Sequence, residues 1–179
     1  MSKLIYLDNA ATTKTAPEVL EAMLPYFTEQ YGNPSAIYSF ASHNKDVVAE
    51  QRERIATALG AKSNEIYFTA GGSESDNWAL KATAEAYQNK GKHIITTKIE
   101  HAILHTAAYL EERGFEVTYL DVDEYGKVNP ADVEAAIRPD TILISIMYAN
   151  NEIGTIEPIK EIGEIAHKHG ILFHTDAVQ

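Results

Sequence analysis

From residue 65 to residue 176 the sequence alternates two textures: short runs rich in β-branched and aromatic residues, and longer stretches with helical spacing. The runs are "EIYFTA", "HIITT", "FEVTYL", "TILISIMYA" and "ILFHTD". Between them stand "SESDNWALKATAEAYQ", "AILHTAAYLEERG", "NPADVEAAIR" and "IKEIGEIAHKHG". Strands that are apolar nearly throughout, separated by helices, predict a mostly parallel sheet with helices on both faces. The fold class is α/β. Upstream, "APEVLEAMLPYFTEQYG" starts a helix at Pro17, is interrupted at Pro25 and stops by Gly32. "KDVVAEQRERIATALGA" sets Val48, Ile55 and Leu59 on one helical face and closes at Gly60.

A chain of 179 residues can bury a substantial core. Its formal net charge of −11 argues against nucleic acid or an anionic membrane surface as partner, since phosphate attraction needs clustered Lys and Arg. There is no cysteine, which removes disulfides, thiolate metal sites and a cysteine nucleophile from these residues. "MSKLIYLDNAATT" lacks the apolar segment of a secretory signal, and no stretch approaches the roughly 20 apolar residues of a membrane helix. The expected location is cytoplasmic.

In open α/β sheets, ligands sit outside the carboxyl ends of the strands, so the residues following each strand carry the functional information. Gly71, Gly72 and Ser73 follow "EIYFTA" and open a helix whose N-terminal N–H groups suit an anion. The plainer reading is a helix cap, with Ser73 as N-cap and Asp76 completing a weak capping box. His101 follows "HIITT" and shares a helical face with His105, but Ala102 stands where a zinc-protease motif needs glutamate, and no metal is expected. Asn150, Asn151 and Glu152 follow "TILISIMYA", as a turn or as ligand contacts. Asp176, with Gln179 behind it, follows "ILFHT"; a carboxylate there needs a cation or several donors, or else caps a following helix. His167 and His169 suit a helix C-terminus, and His174 reads as packed. Asp121 and Asp123, after "FEVTYL", have no evident role. Together, an anion-receptive helix start, a histidine, an Asn pair and a buried acid suit a ligand with a phosphate at one end and a basic ring nitrogen at the other. Pyridoxal 5'-phosphate fits: an ionised Asp176 would keep the ring nitrogen protonated, so that the ring can accept electrons.

The ordered set "YLDNAATT", "YGNPSA", "FTAGGSESDN", "IEHAILHT", "YANNEIGTIEPI" and "FHTDAVQ" resembles the cysteine desulfurases, class-V, fold-type-I pyridoxal-phosphate enzymes, along essentially the whole chain. The resemblance implies that Gly72 and Ser73 bind the phosphate. It implies that His101 stacks on the ring and moves protons, and that Asn151 helps hold the substrate carboxylate. Asp176 would partner the ring nitrogen and Gln179 the ring hydroxyl. The implied reaction takes sulfur from L-cysteine, leaving L-alanine, and passes it as a persulfide toward iron–sulfur clusters or thio-modified tRNA. A homodimer and a sulfur-accepting scaffold protein are the implied partners. Tyr38 and Ala41 replace His and Gly common in the family. The family's cofactor-bonding lysine, persulfide cysteine, carboxylate-clamping arginine and small C-terminal domain all fall beyond "DAVQ", and Lys81 and Lys98 do not occupy the lysine's place. The expected organisation is therefore an N-terminal segment (1–15) and a partial cofactor-binding large domain (16–179), incomplete and inactive alone. A non-catalytic module acting through a partner chain, and a selenocysteine lyase, are the alternative readings.

Overall fold

His93–Thr97 and Thr141–Ser145 are buried at every position. Strands hidden on both faces must lie inside a sheet that is itself sandwiched. The computed structural model describes residues 4–99 and 101–179, the side chains of His101 and Ala102 excepted. In it the chain divides into two compact units, Met1–Phe68 and Thr69–Gln179. The second unit contains a four-stranded parallel sheet. Its strands are β1 (His93–Thr97), β2 (Glu116–Leu120), β3 (Thr141–Ser145) and β4 (Leu172–His174), in the order β2-β1-β3-β4. His93 pairs with Glu116 on one side and Thr141 on the other; Ser145 pairs with His174.

Strand side chains alternate between faces, and here each face has its own core. Ile94 and Leu143 join Leu80 and Ala84 of α4 (Gly72–Tyr87) and Ile103 and Leu110 of α5 (His101–Glu111). Ile95 and Ile144 join Val133 of α6 (Pro130–Ala135) and Ile162 and Ala166 of α7 (Ile159–Lys168). Each such Leu or Ile contributes about 1.5–3 kcal/mol by leaving water. The α/β reading, with a parallel sheet covered on both sides, is what the chain forms.

The first unit carries α1 (Pro17–Met23), α2 (Pro25–Thr28) and α3 (Ser39–Leu59). The break at Pro25 falls where its missing N–H predicts it, and Gly60, at φ 68°, closes α3 in the left-handed region. Two expectations fail here. The face of α3 bearing Val48, Ile55 and Leu59 is exposed, Leu59 by 71%; the buried residues are Ala41, Asn44 and Ala56. On the buried side, Asn44 Nδ2 donates to the carbonyls of Gln30 and Gly32, each at 2.6 Å. Nor is "EIYFTA" a strand. Ser63–Glu65 is a 3-10 turn, and residues 66–70 join no ladder, with Tyr67 and Phe68 largely exposed. β-propensity makes a strand only where a neighbour accepts its hydrogen bonds.

Candidate functional site

Backbone pairing between β3 and β4 continues past the last regular strand residues. Ile146 N donates to the His174 carbonyl (3.1 Å) and Tyr148 N to the Asp176 carbonyl (2.7 Å). Asp176 is thereby fixed alongside Tyr148, just ahead of the Asn150–Asn151 turn. Asn150 is buried and shapes that turn: its Oδ1 accepts from Glu152 N (2.9 Å) and Ile153 N (3.1 Å). Asn151 is exposed. Glu157 N closes the loop onto the Tyr148 carbonyl, and Glu157 Oε2 accepts from Val128 N, both at 2.9 Å. Burial pushes the Glu157 carboxyl above its ordinary range. The acids after β2 have local duties: Asp123 Oδ1 accepts from Tyr125 N (2.9 Å) and Lys127 N (2.8 Å), and Asp121 pairs with Lys98 at 2.5 Å.

The turn into α4 lies against the chain after Asp176. A Cβ placed on Gly72 would stand 3.1 Å from Val178 Cγ2, so glycine allows this approach. The N-cap is Gly71, with no side-chain acceptor on the first-turn N–H groups. Ser73 is exposed one position inside the helix; it does not cap, and Asp76 completes no capping box. The helix starts two residues too early for that arrangement and turns Asp76 inward. Thr69 and Ser75 hydroxyls bond across the turn (2.7 Å), and Glu74 Oε2 accepts from Ala70 N (2.6 Å).

Asp76 is 3% exposed, with Oδ1 3.5 Å from His174 Nε2 and Oδ2 buried without a hydrogen-bond partner. Burial, and then the negative charge of Asp176, push its carboxyl up to about 6. His174 is more than a packing residue: Nδ1 lies 2.9 Å from Ser145 Oγ, and burial lowers its affinity for a proton. Asp176 is half-buried, and its Oδ1 accepts from Val178 N (2.9 Å), a bond made two residues on. Gln179 is exposed, and His101 opens α5 with a side chain outside the described residues.

The structure thus gathers the Gly72–Ser73 turn, Asp176 and the Asn151 turn at the same strand ends, with Gln179 three residues beyond Asp176. Sequence reasoning missed Asp76 as part of this cluster. The signal was present: Asp76, Leu80 and Ala84 recur every four residues on the buried face of α4, so an acid sits in an apolar stripe. His105 is exposed, and among the described residues no group of three or more His, Asp or Glu could hold a metal. A groove of about 620 Å³ lined by Lys90, Arg138, Thr141 and His169 opens at the amino ends of the strands. Its Arg138 already pairs with Glu116 and Asp140.

At the carboxyl ends of a parallel sheet, in an α/β fold, a glycine-opened helix turn thus lies beside a half-buried acid. The chain belongs to the class-V aminotransferase family, whose pattern matches residues 5–179. It is 63% identical to the cysteine desulfurase IscS of Methanosarcina thermophila over 179 residues, covering 99% of this chain and 44% of that protein. It is also 63% identical to the IscS of Clostridium botulinum strain Kyoto, covering 45% of it. Among solved structures, a NifS-like protein superposes with a TM-score of 0.94 at 42% identity, over 98% of this chain and 49% of its own. SspA in complex with cysteine gives 0.92 at 46% identity, over 96% and 50%. The chain therefore spans under half the length of these curated relatives.

Proposed function

We propose that this chain forms the N-terminal part of a pyridoxal 5'-phosphate site in a cysteine desulfurase. The observation that carries the reading is the shared location of Asp176 and the turn at Gly72, joined by the Val178 contact and held by the Tyr148 N–H bond to the Asp176 carbonyl. The polar groups fit such a cofactor. Two acids, Asp76 and Asp176, stand together with a histidine that burial keeps neutral as their basic neighbour, an arrangement that welcomes a protonated ring nitrogen. Thr97 Oγ1 and Thr175 Oγ1, at the ends of β1 and β4, are buried without hydrogen-bond partners. When bound, the cofactor would supply an electron sink for a substrate carbanion.

The protein's own residues would do the following. The first-turn N–H groups at Gly72 and Ser73 receive the phosphate, with the Ser73 hydroxyl as a further donor. Asp176 holds a proton on the ring nitrogen, Gln179 orients the ring hydroxyl, and Asn151 binds the substrate carboxylate. His101 stacks on the ring and carries a proton. L-cysteine as substrate is supported by the names of the relatives and by the neighbour bound to cysteine. The product would be L-alanine, with sulfur leaving on a thiol outside these residues for iron–sulfur cluster synthesis. A homodimeric complete enzyme, a scaffold acceptor and a cytoplasmic setting belong to the same proposal. No described helix is long and apolar enough to cross a membrane.

The test joins this chain to the C-terminal half of a relative, in cis or in trans, and measures cysteine-dependent sulfide release. Release above the level of either half alone is expected; a folded assembly that releases none would overturn the reading. Borohydride treatment of this chain with pyridoxal phosphate should trap no single defined lysine. Lys81 lies over the Tyr109 ring, 4.2 Å from its centre, and Lys98 pairs with Asp121.

A further inference from the structure

Asp76 occupies the apolar stripe of α4, where a carboxyl with an unpartnered oxygen costs stability and packing alone would favour a hydrocarbon. Its surroundings explain its presence. His174 and Asp176 are two residues apart on an extended segment, so their side chains project to the same face. Ser145 is the register partner of His174 on β3 and its hydroxyl bonds Nδ1, leaving Nε2 directed at Asp76 Oδ1. β4 is only three residues long and lies at the sheet edge, so its backbone ladder alone is a weak restraint.

We infer that Asp76 is a positioning residue for Asp176: with Ser145 and His174 it forms a polar chain from sheet to helix that holds the end of β4 in place. The inference rests on the reading of Asp176 as the ring-nitrogen partner, and it deepens that reading. The chain has one direction. Ser145 O–H donates to His174 Nδ1, and the Nε2–H of the neutral ring points to the Asp76 carboxylate. At 3.5 Å the second contact is long for a hydrogen bond, so its force is largely the attraction of a carboxylate for an N–H dipole in a poorly solvated site. The groups facing His174 are Ser145 and Asp76, with the charge of Asp176 beside them.

The experiment uses the chain itself, without cofactor, at pH 7. Nitrogen-15 spectra should show His174 as the neutral Nε2–H tautomer. Asp76→Ala should mix the two tautomers and speed exchange of the Tyr148 amide about tenfold relative to Ile95 in β1, whereas Asp76→Asn, which keeps an acceptor, should restore both. If Asp76→Ala does not fold, Ser145→Ala should accelerate Tyr148 severalfold while leaving Ile95 unchanged. Equal acceleration at Ile95 and Tyr148, or an unmoved Tyr148 amide, would overturn the positioning role. Because no cofactor is added, that result leaves the desulfurase reading standing, while a failure to reconstitute sulfide release would remove the role of Asp176 and leave the Ser145–His174–Asp76 chain as a restraint on β4 alone.

Discussion

The two ends of the sheet handle buried polarity in opposite ways. At the amino ends, His93 is fully buried, yet Nδ1 meets Thr141 Oγ1 at 2.7 Å and Nε2 meets Thr118 Oγ1 at 2.8 Å. Beside it Arg138 Nε and Nη2 take the two Asp140 oxygens, each at 2.9 Å, and Nη1 bonds Glu116. At the carboxyl ends, Asp76 Oδ2, Thr97 Oγ1 and Thr175 Oγ1 have no partners, and two acids face a neutral histidine. Saturated polarity holds a fold together, whereas unsaturated polarity raises the energy of the folded chain until something arrives to meet it. On the function proposed above, the difference separates a structural end from the end that would hold the cofactor.

The sharpest way to break this comparison is to mutate each end and read both activity and stability. Asp176→Ala in the reconstituted enzyme should lower cysteine-dependent sulfide release by about 10²–10³-fold, the scale of losing one preorganised charge partner. Its melting midpoint should hold or rise, since removing Asp176 relieves Asp76 of a like charge. A tenfold loss or less would put the ring-nitrogen role in doubt.

The pH dependence of Asp76 is the next largest effect. Folded, it binds its proton with a pKa of about 6 against an ordinary 3.8, so the native state holds the proton more tightly. Stability therefore falls as pH rises from about 4 to about 6, and the whole penalty, on the order of 3 kcal/mol, is present above that. His174 runs the other way. Burial lowers its pKa below 6.5, so the unfolded chain protonates first and stability falls as pH drops under that value. Asp76→Asn removes only the first term. Relative to the parent chain, the variant should gain about 3 kcal/mol between pH 4 and pH 7.5 in urea titrations. An equal difference at both pH values would mean that Asp76 is not raised.

At the saturated end, His93→Ala strands the Thr118 and Thr141 hydroxyls and opens a void, at a cost on the order of 2 kcal/mol in chemical denaturation. The rate of the reconstituted enzyme, measured well below its melting range, should stay within about twofold. A large loss of rate with little loss of stability would reverse the assignment of the two ends.

How much of this was legible in the sequence depends on whether a residue's role is local or borrowed. "HIITT" and "TILIS" announce themselves as buried strands because β-branched residues dominate and each face carries an Ile or Leu, and Pro25 breaks its helix wherever the rest of the chain goes. Asp176 drew notice because strand exits are where ligand chemistry collects, whereas the Gly72–Ser73 turn was reached through a strand that does not form. "EIYFTA" misled because β-propensity says nothing about whether a neighbour exists. Val48, Ile55 and Leu59 misled because a periodic stripe does not say what, if anything, covers it. His174 looked like packing because its partners, Ser145 at 29 residues' separation and Asp76 on α4, meet it only in the fold. The apolar stripe through Asp76 was readable, but the motif around it invited a capping explanation first.

The smallest expected effect sharpens the comparison most finely. Gly72→Ala puts a methyl 3.1 Å from Val178 Cγ2, tighter than an ordinary contact. Val178 is 70% exposed and can yield by a few tenths of an ångström, so stability should change by no more than about 0.5 kcal/mol. The displacement should instead be felt one bond away, where Val178 N donates to Asp176 Oδ1. The Val178 amide should exchange about two- to threefold faster while the His93 and Ile95 amides stay unchanged, since local openings at a sheet edge do not reach its centre. An Asp176 carboxylate so loosened should bind pyridoxal phosphate more weakly in the reconstituted enzyme, although the methyl touches neither the acid nor the ring. Unchanged exchange at Val178 would mean that the α4 turn and the Asp176 segment are neighbours without being coupled, and the functional end would then be two separate features.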